Sequence, residues 1–264
     1  MFKARVFTAL CLIAGFLAVL FLLPPVWATL LFAAVAALAA WEWAGLIRAR
    51  PLQRGLLVGL VLAGCWLVWL KPDTAAPALW VMAMLFWLGG APLWLWRKWR
   101  LTQQSGFAFA LGGLLIVAAW AALVDLHARN PALLLAMMGF VWVADSAAYF
   151  AGRAFGRHKL APQISPGKTW EGVAGGVLGV VAYGLLLTGN FAELRAVGLL
   201  PYLFALLLLA AISIVGDLFE SLAKRQVGLK DSGNLLPGHG GVLDRIDSLL
   251  PTLPIAALIL ARVG

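Results

Sequence analysis

G-F-A-F-A-L-G-G-L-L-I-V-A-A-W-A-A-L-V, Gly106 to Val124, runs for 19 residues without a charged side chain. As a helix rising 1.5 Å per residue, such a run nearly spans the roughly 30 Å hydrocarbon core of a bilayer. Comparable runs precede it at Val6–Leu23, Val26–Ile47, Gly55–Leu70 and Pro77–Trp96. Others follow at Pro131–Ala151, Glu171–Gly189, Leu199–Gly216 and Leu249–Val263. The chain of 264 residues is 63% hydrophobic with a mean hydropathy of +0.96, whereas a soluble domain is about half apolar. These runs predict an all-α polytopic membrane protein of about nine transmembrane helices. Lys3 and Arg5 before the first run, and Val26-Trp27-Ala28 behind it, weakly resemble a cleaved signal. The apolar runs continue down the chain, which favours a first span instead.

Lys and Arg accumulate in short cytoplasmic loops. With the N-terminus cytoplasmic, sixteen of the twenty basic residues fall inside, clustered near Lys3, Arg48, Arg97, Arg153 and Lys224. Only Lys71, Arg129, Arg195 and Arg262 fall outside. This asymmetry accounts for most of the net charge of +9 without a nucleic-acid partner. The inside clusters near Arg48, Arg97 and Arg153 also suit anionic lipid headgroups. Cys11 and Cys65 lie within spans without metal-ligand spacing and read as small packing residues. Trp27, Trp41, Trp43, Trp94, Trp96 and Trp99 stand near span ends, where interfacial aromatic belts occur.

The acids are unevenly spread. Residues 1–130 form a scaffold of spans and plain loops, whereas residues 131–264 form a region with inside loops 152–170 and 217–248. Eight of the eleven acids lie in residues 131–248. The loop sequence D-L-F-E-S-L-A-K-R-Q-V-G-L-K-D-S-G-N-L-L-P-G-H-G-G-V-L-D-R-I-D, Asp217 to Asp247, carries five acids, four bases and His239. In the expected topology Asp145, Glu171, Asp217, Asp244 and Asp247 all fall at the inner ends of spans. Asp145 sits roughly 12 Å deeper than Arg153, a depth at which an ionisable group faces protein or a wet cavity. Its plainer role is a helix–helix hydrogen bond made through Asp145 and Ser146.

Asp244 and Asp247 are three apart and share a helix face, as do Asp217 and Glu220. Carboxylates held together repel unless a cation intervenes. That cation is either Arg245 or a hard metal such as Mg²⁺, which takes one or two carboxylates plus phosphates and waters. Pro237-Gly238-His239-Gly240-Gly241 allows close approach of backbone N–H groups to a phosphate; His239 contacts phosphate, acts as an acid or braces the loop. Ser165-Pro166-Gly167-Lys168-Thr169 echoes a nucleotide P-loop, but Pro162 stands where that motif needs Gly. Lys168 and its neighbouring hydroxyls at a helix start still favour an anion. Gly172, Gly175, Gly176 and Gly179 give the spacing of close helix packing.

Ser221–Asp247, Asp145–Leu160 (D-S-A-A-Y-F-A-G-R-A-F-G-R-H-K-L) and Ser165–Gly176 (S-P-G-K-T-W-E-G-V-A-G-G) together resemble the phosphatidate cytidylyltransferase (CDP-diacylglycerol synthase) family. The resemblance covers the C-terminal half; the N-terminal half is similar only in being membrane spans. It implies a multi-pass enzyme of the bacterial inner membrane, dimeric and Mg²⁺-dependent, with a second cation such as K⁺. CTP and phosphatidate would give CDP-diacylglycerol and pyrophosphate. It implies Asp217 and Asp244 as Mg²⁺ ligands, and Asp247 as a third carboxylate, ligand or orienter. Lys168, Lys224, Arg225 and Lys230 would bind phosphates, with Ser165, His239 and Asp145 as further substrate contacts. A nucleotidyltransferase acting on another lipid phosphate is a related alternative. A polytopic transporter is a different one, against which the charges gather at one membrane edge and not at the midplane.

The charge asymmetry fixes an expected topology. Reporter tags near Arg50, Arg100 and Lys159 should read cytoplasmic, and tags near Asp73 and Glu193 the opposite side. A periplasmic signal from the Lys159 loop would overturn this arrangement.

Overall fold

The structure is a computed structural model that describes residues 13–235 and 240–262, apart from the side chains of 103–105. The start of the first expected span, Cys11 and His239 lie outside the described residues. Seven described helices are long and apolar enough to cross a membrane. Helix α1, described over 13–21, comes first. Then follow α2 (Pro25–Leu46) and α3 (Pro51–Leu70). Next, α4 (Pro72–Leu85) runs through a π-helical segment, Phe86–Gly90, into α5 (Ala91–Arg97) as one rod. After α6 (Ser105–Arg129), α7 (Pro131–Phe155) and α8 (Trp170–Thr188) come short α9 (Ala192–Ala196) and long α10 (Leu199–Gln226). Short α11 (Leu243–Ile246) and α12 (Leu249–Leu260) end the chain.

Local sequence sets the helix starts. Pro25, Pro51, Pro72 and Pro131 each occupy the first helical position, where a missing N–H costs nothing and the fixed φ suits a helix. Asn130 caps α7 by accepting from Ala132 N at 2.9 Å, and Thr169 caps α8 by accepting from Gly172 N at 3.1 Å. The uncharged run Gly106–Val124 lies in α6, which packs against α2, α3, α4, α7 and α12 at the centre of the bundle.

The last expected span, Leu249–Val263, contains a helix shorter than the run. α12 has 12 residues, about 18 Å of helix, too short for the hydrocarbon core. Leu249 through Ala257 are all buried, so protein and not lipid surrounds it. Two Trp expectations also change. Trp43 and Trp94 are buried and donate their indole N–H to Ala108 O at 2.9 Å and Trp99 O at 2.7 Å. Trp27, Trp41, Trp96 and Trp99 are exposed. Cys65 is buried in α3, as a packing residue would be.

Two further differences bear on the site. The loop 152–170 contains an antiparallel hairpin, β1 (Lys159–Ala161) against β2 (Ser165–Thr169), with Lys159 opposite Thr169 and Ala161 opposite Ser165. Also, α10 continues ten residues beyond its expected end at Gly216, so Asp217, Glu220, Ser221 and Lys224 are helical. Phe219 on that extension is clasped by four aromatic rings. Its centroid lies 6.1 Å from Trp43, 5.4 Å from Phe86, 5.7 Å from Trp87 and 6.0 Å from Trp94.

The closest helix pair is α7 and α8. A Cβ on Gly175 would stand 2.2 Å from Ala151 Cβ, and one on Gly179 would stand 2.7 Å from Ala147 Cβ. Small residues thus let the two backbones approach. Gly175→Val should therefore lower the melting temperature in detergent, through an overpacking cost of about 1–3 kcal/mol. An unchanged melting temperature would show that the pair separates freely.

Candidate functional site

The hairpin sits where α7 ends and α8 begins, and it carries Ser165 and Lys168 to the mouth of a cavity between α7, α8 and α10. The cavity measures about 430 Å³. Ala144, Val173, Val177 and Ile214 form part of its apolar wall, and Asp145, Arg153, Ser165, Lys168 and Asp217 give it a polar side. Lys168 Nζ lies 2.6 Å from Asp217 Oδ2. Asp217 Oδ1 accepts from Ser221 Oγ one turn later, at 3.1 Å. Arg153 Nη1 donates to Tyr149 Oη at 3.2 Å on the same wall.

A second cluster adjoins the first along α10. Lys224 Nζ donates to Glu220 Oε2 at 2.8 Å and to Asp244 Oδ1 at 2.6 Å. Asp244 Oδ2 accepts from the amides of Ser232 and Gly241, both at 2.8 Å. Burial is the largest single influence on Asp244 and would raise its pKa. The Lys224 ammonium and the two amides outweigh it, so the carboxyl titrates below its ordinary value. Asp247 behaves oppositely. Its Oδ1 accepts from Ser248 N at 2.7 Å, yet burial, reinforced by the nearby Asp217 carboxylate, raises its pKa to about 7. Asp244 in α11 and Asp247 just past its end thus have different environments.

The expected convergence of five acids holds in part. Asp217 and Asp145 line the cavity, and Asp244 joins α10 through Lys224. Glu171 is engaged elsewhere: its carboxylate meets His158 Nδ1 at 2.6 Å and His158 N at 3.2 Å, tying the hairpin to α8. Asp244 pairs with Lys224 and not with Arg225. The Arg225 guanidinium donates to the carbonyls of Ile164 at 3.5 Å and Leu229 at 3.2 Å, bracing the hairpin against α10. Lys230 is exposed beyond the helix end. Gly240 has φ +80°, and a Cβ there would stand 2.9 Å from Asp244 Oδ2; a side chain would strain that turn.

The donor set suits a hard cation. Asp217, Glu220, Asp244 and Asp247 supply carboxylate oxygens, and the buried Glu220 Oε1 has no hydrogen-bond partner. Among the described residues no three acidic, His or Cys side chains form a ready metal cage. Mg²⁺ requires none, since it keeps waters and takes substrate phosphates as ligands.

Sequence reading took Arg153 only as part of a basic cluster and missed Tyr149 and Glu42. The last is an acid in the apolar run Val26–Ile47, buried at 7% exposure. An ionisable group in a span is itself a signal.

The profile of the Cytidylyltransferase family matches residues 3–263. Phosphatidate cytidylyltransferase of Pseudomonas aeruginosa is 40% identical over 268 residues, covering 100% of this chain and 98% of that protein. That of Haemophilus influenzae is 37% identical over 281 residues, covering 96% of each. That of Thermotoga maritima is 45% identical over 138 residues, covering 51% of this chain and 50% of its own.

Asp247 provides a pH test. Its folded pKa of about 7 exceeds the ordinary 3.8, so between these values the folded protein binds more protons than the unfolded one. Stability therefore falls as pH rises through that window. In chelator-treated detergent solution, Asp247→Asn should melt above wild type at pH 8, and the gap should close towards pH 4. A gap independent of pH would remove the titrating carboxyl from this position.

Proposed function

Because the chain belongs to the cytidylyltransferase family, we propose that it transfers the cytidylyl group of CTP to phosphatidate, giving CDP-diacylglycerol and pyrophosphate. The observation that carries this reading is the cavity between α7, α8 and α10. Its walls are apolar enough for the upper part of a lipid, and Lys168 with Asp217 stands at its polar side. A lipid phosphate and a nucleotide triphosphate could meet there at a membrane edge.

In the reaction a phosphatidate oxygen bonds to the α-phosphorus of CTP while the bond from that phosphorus to the bridging oxygen of pyrophosphate breaks. Phosphatidate is already ionised near pH 7, so no strong base is required. Positioning and neutralisation of spread negative charge supply most of the rate. Lys168 spends one of its three N–H donors on Asp217 and keeps two for a phosphate oxygen. Ser165 and Arg153 line the same cavity and offer further donors. Asp217 and Asp244 would hold Mg²⁺, which supplies charge neutralisation on the CTP phosphates when bound. Glu220 and Asp247 lie beside this pair and would suit a second cation such as K⁺. The polar side would face the cytoplasm, across the inner membrane, where CTP is available.

The test is detergent-purified protein incubated with CTP, phosphatidate and Mg²⁺. Pyrophosphate release should need all three. Lys168→Ala should lower kcat/KM about tenfold or more, since a charge-assisted bond is lost. Asp217→Asn and Asp244→Asn should each abolish turnover in protein that still melts cooperatively. Lys71→Ala, beyond the far end of α3, should match wild type. Near-normal turnover in Asp244→Asn would sink the metal assignment.

A further inference from the structure

We propose that Glu42, on α2 in the N-terminal half, is a positioning residue for the reaction, acting on Asp244 through the loop that presents it. Its side chain enters from the scaffold and is almost fully buried. Oε1 accepts from Val242 N at 3.0 Å, and Oε2 accepts from Leu243 N at 2.8 Å and Ser232 Oγ at 2.8 Å. These partners are two amides and a hydroxyl. A buried carboxylate is costly unless well hydrogen-bonded, and here every bond goes to the segment that holds Asp244.

Ser232 links the two acids. Its amide donates to Asp244 Oδ2 at 2.8 Å, and its hydroxyl stands 2.8 Å from Glu42 Oε2 and 3.0 Å from Asp244 Oδ2. One hydroxyl carries one proton. The amides of Ser232 and Gly241 already serve Asp244 Oδ2, so the hydroxyl proton falls to Glu42. The loop also closes tightly around this carboxylate. A Cβ on Gly233 would stand 2.5 Å from Glu42 Oε1, and one on Gly241 would stand 2.4 Å from Glu42 Oε2. Glu42 thereby fixes the start of α11, and with it the direction of Asp244 towards Lys224. The inference rests on the reading of Asp244 as a carboxylate that serves Mg²⁺ and CTP.

The experiment compares wild type with Glu42→Gln, which keeps the shape but turns an N–H₂ group towards the loop's own donors. Hydrogen exchange across residues 240–248 should quicken while α6 stays unchanged. The Mg²⁺ concentration giving half-maximal rate should rise severalfold, and kcat per folded molecule should fall about tenfold or more. Ser232→Ala should shift both in the same direction by less. The double variant should be no worse than Glu42→Gln, because both act through one link. A wild-type kcat and Mg²⁺ midpoint per folded molecule in Glu42→Gln overturns the proposal, whatever its melting temperature. If that variant does not fold, Ser232→Ala decides on the same two readouts. Absence of turnover in wild type would instead overturn the functional reading.

Discussion

Lys224 is the tie on which the arrangement of charged groups depends. Its ammonium, on an 11% exposed side chain, is shared between Glu220 on its own helix and Asp244 twenty residues later. A buried ammonium is held here only because two carboxyl groups meet it. Removing one member of such a set costs about 3–5 kcal/mol, mostly by stranding the others. The tie therefore welds the loop after α10 onto α10 itself. The hairpin docks on the same helix through Lys168 and Asp217. Asp217, Glu220, Ser221 and Lys224 recur at helical spacing, so one face of α10 receives both loops.

The spans were legible because repeated uncharged runs as long as Gly106–Val124 are what a bilayer requires. Their ends were less so. Charge density after Gly216 reads as a loop, although the spacing of Asp217, Glu220 and Lys224 is already that of a helix. The Leu249–Val263 run is apolar all round, and a helix of that kind is buried either in lipid or in protein. Periodicity cannot separate the two cases; only packing shows that α12 is wrapped by its neighbours. Trp43 and Trp94 occupy positions along the chain like those of the exposed Trp residues. What distinguishes them is a carbonyl acceptor supplied by a distant or turning segment. The hairpin was hidden because Pro162, Pro166 and Gly167 are poor strand formers, and pairing between β1 and β2 overrides that preference.

The candidate site was legible in its residue types and less so in its pairings. Aspartates and lysines could be placed at one membrane edge from spacing and charge alone. Which lysine meets which aspartate could not, since Lys168–Asp217 and Lys224–Asp244 are contacts between segments. The Glu42 carboxylate reaches from α2 into the loop before α11, a contact between distant segments that spacing does not reveal.

The aromatic clasp around Phe219 sets the helix azimuth. A helix turns by about 100° per residue, so a small roll of α10 would swing Asp217 and Glu220 away from their partners. Phe219 lies between them in sequence, and rings from α2, the π segment and α5 all pack against it. Rolling the helix would drag this side chain through all of them. The orientational entropy of the two carboxylates is thus largely spent during folding, before any substrate arrives.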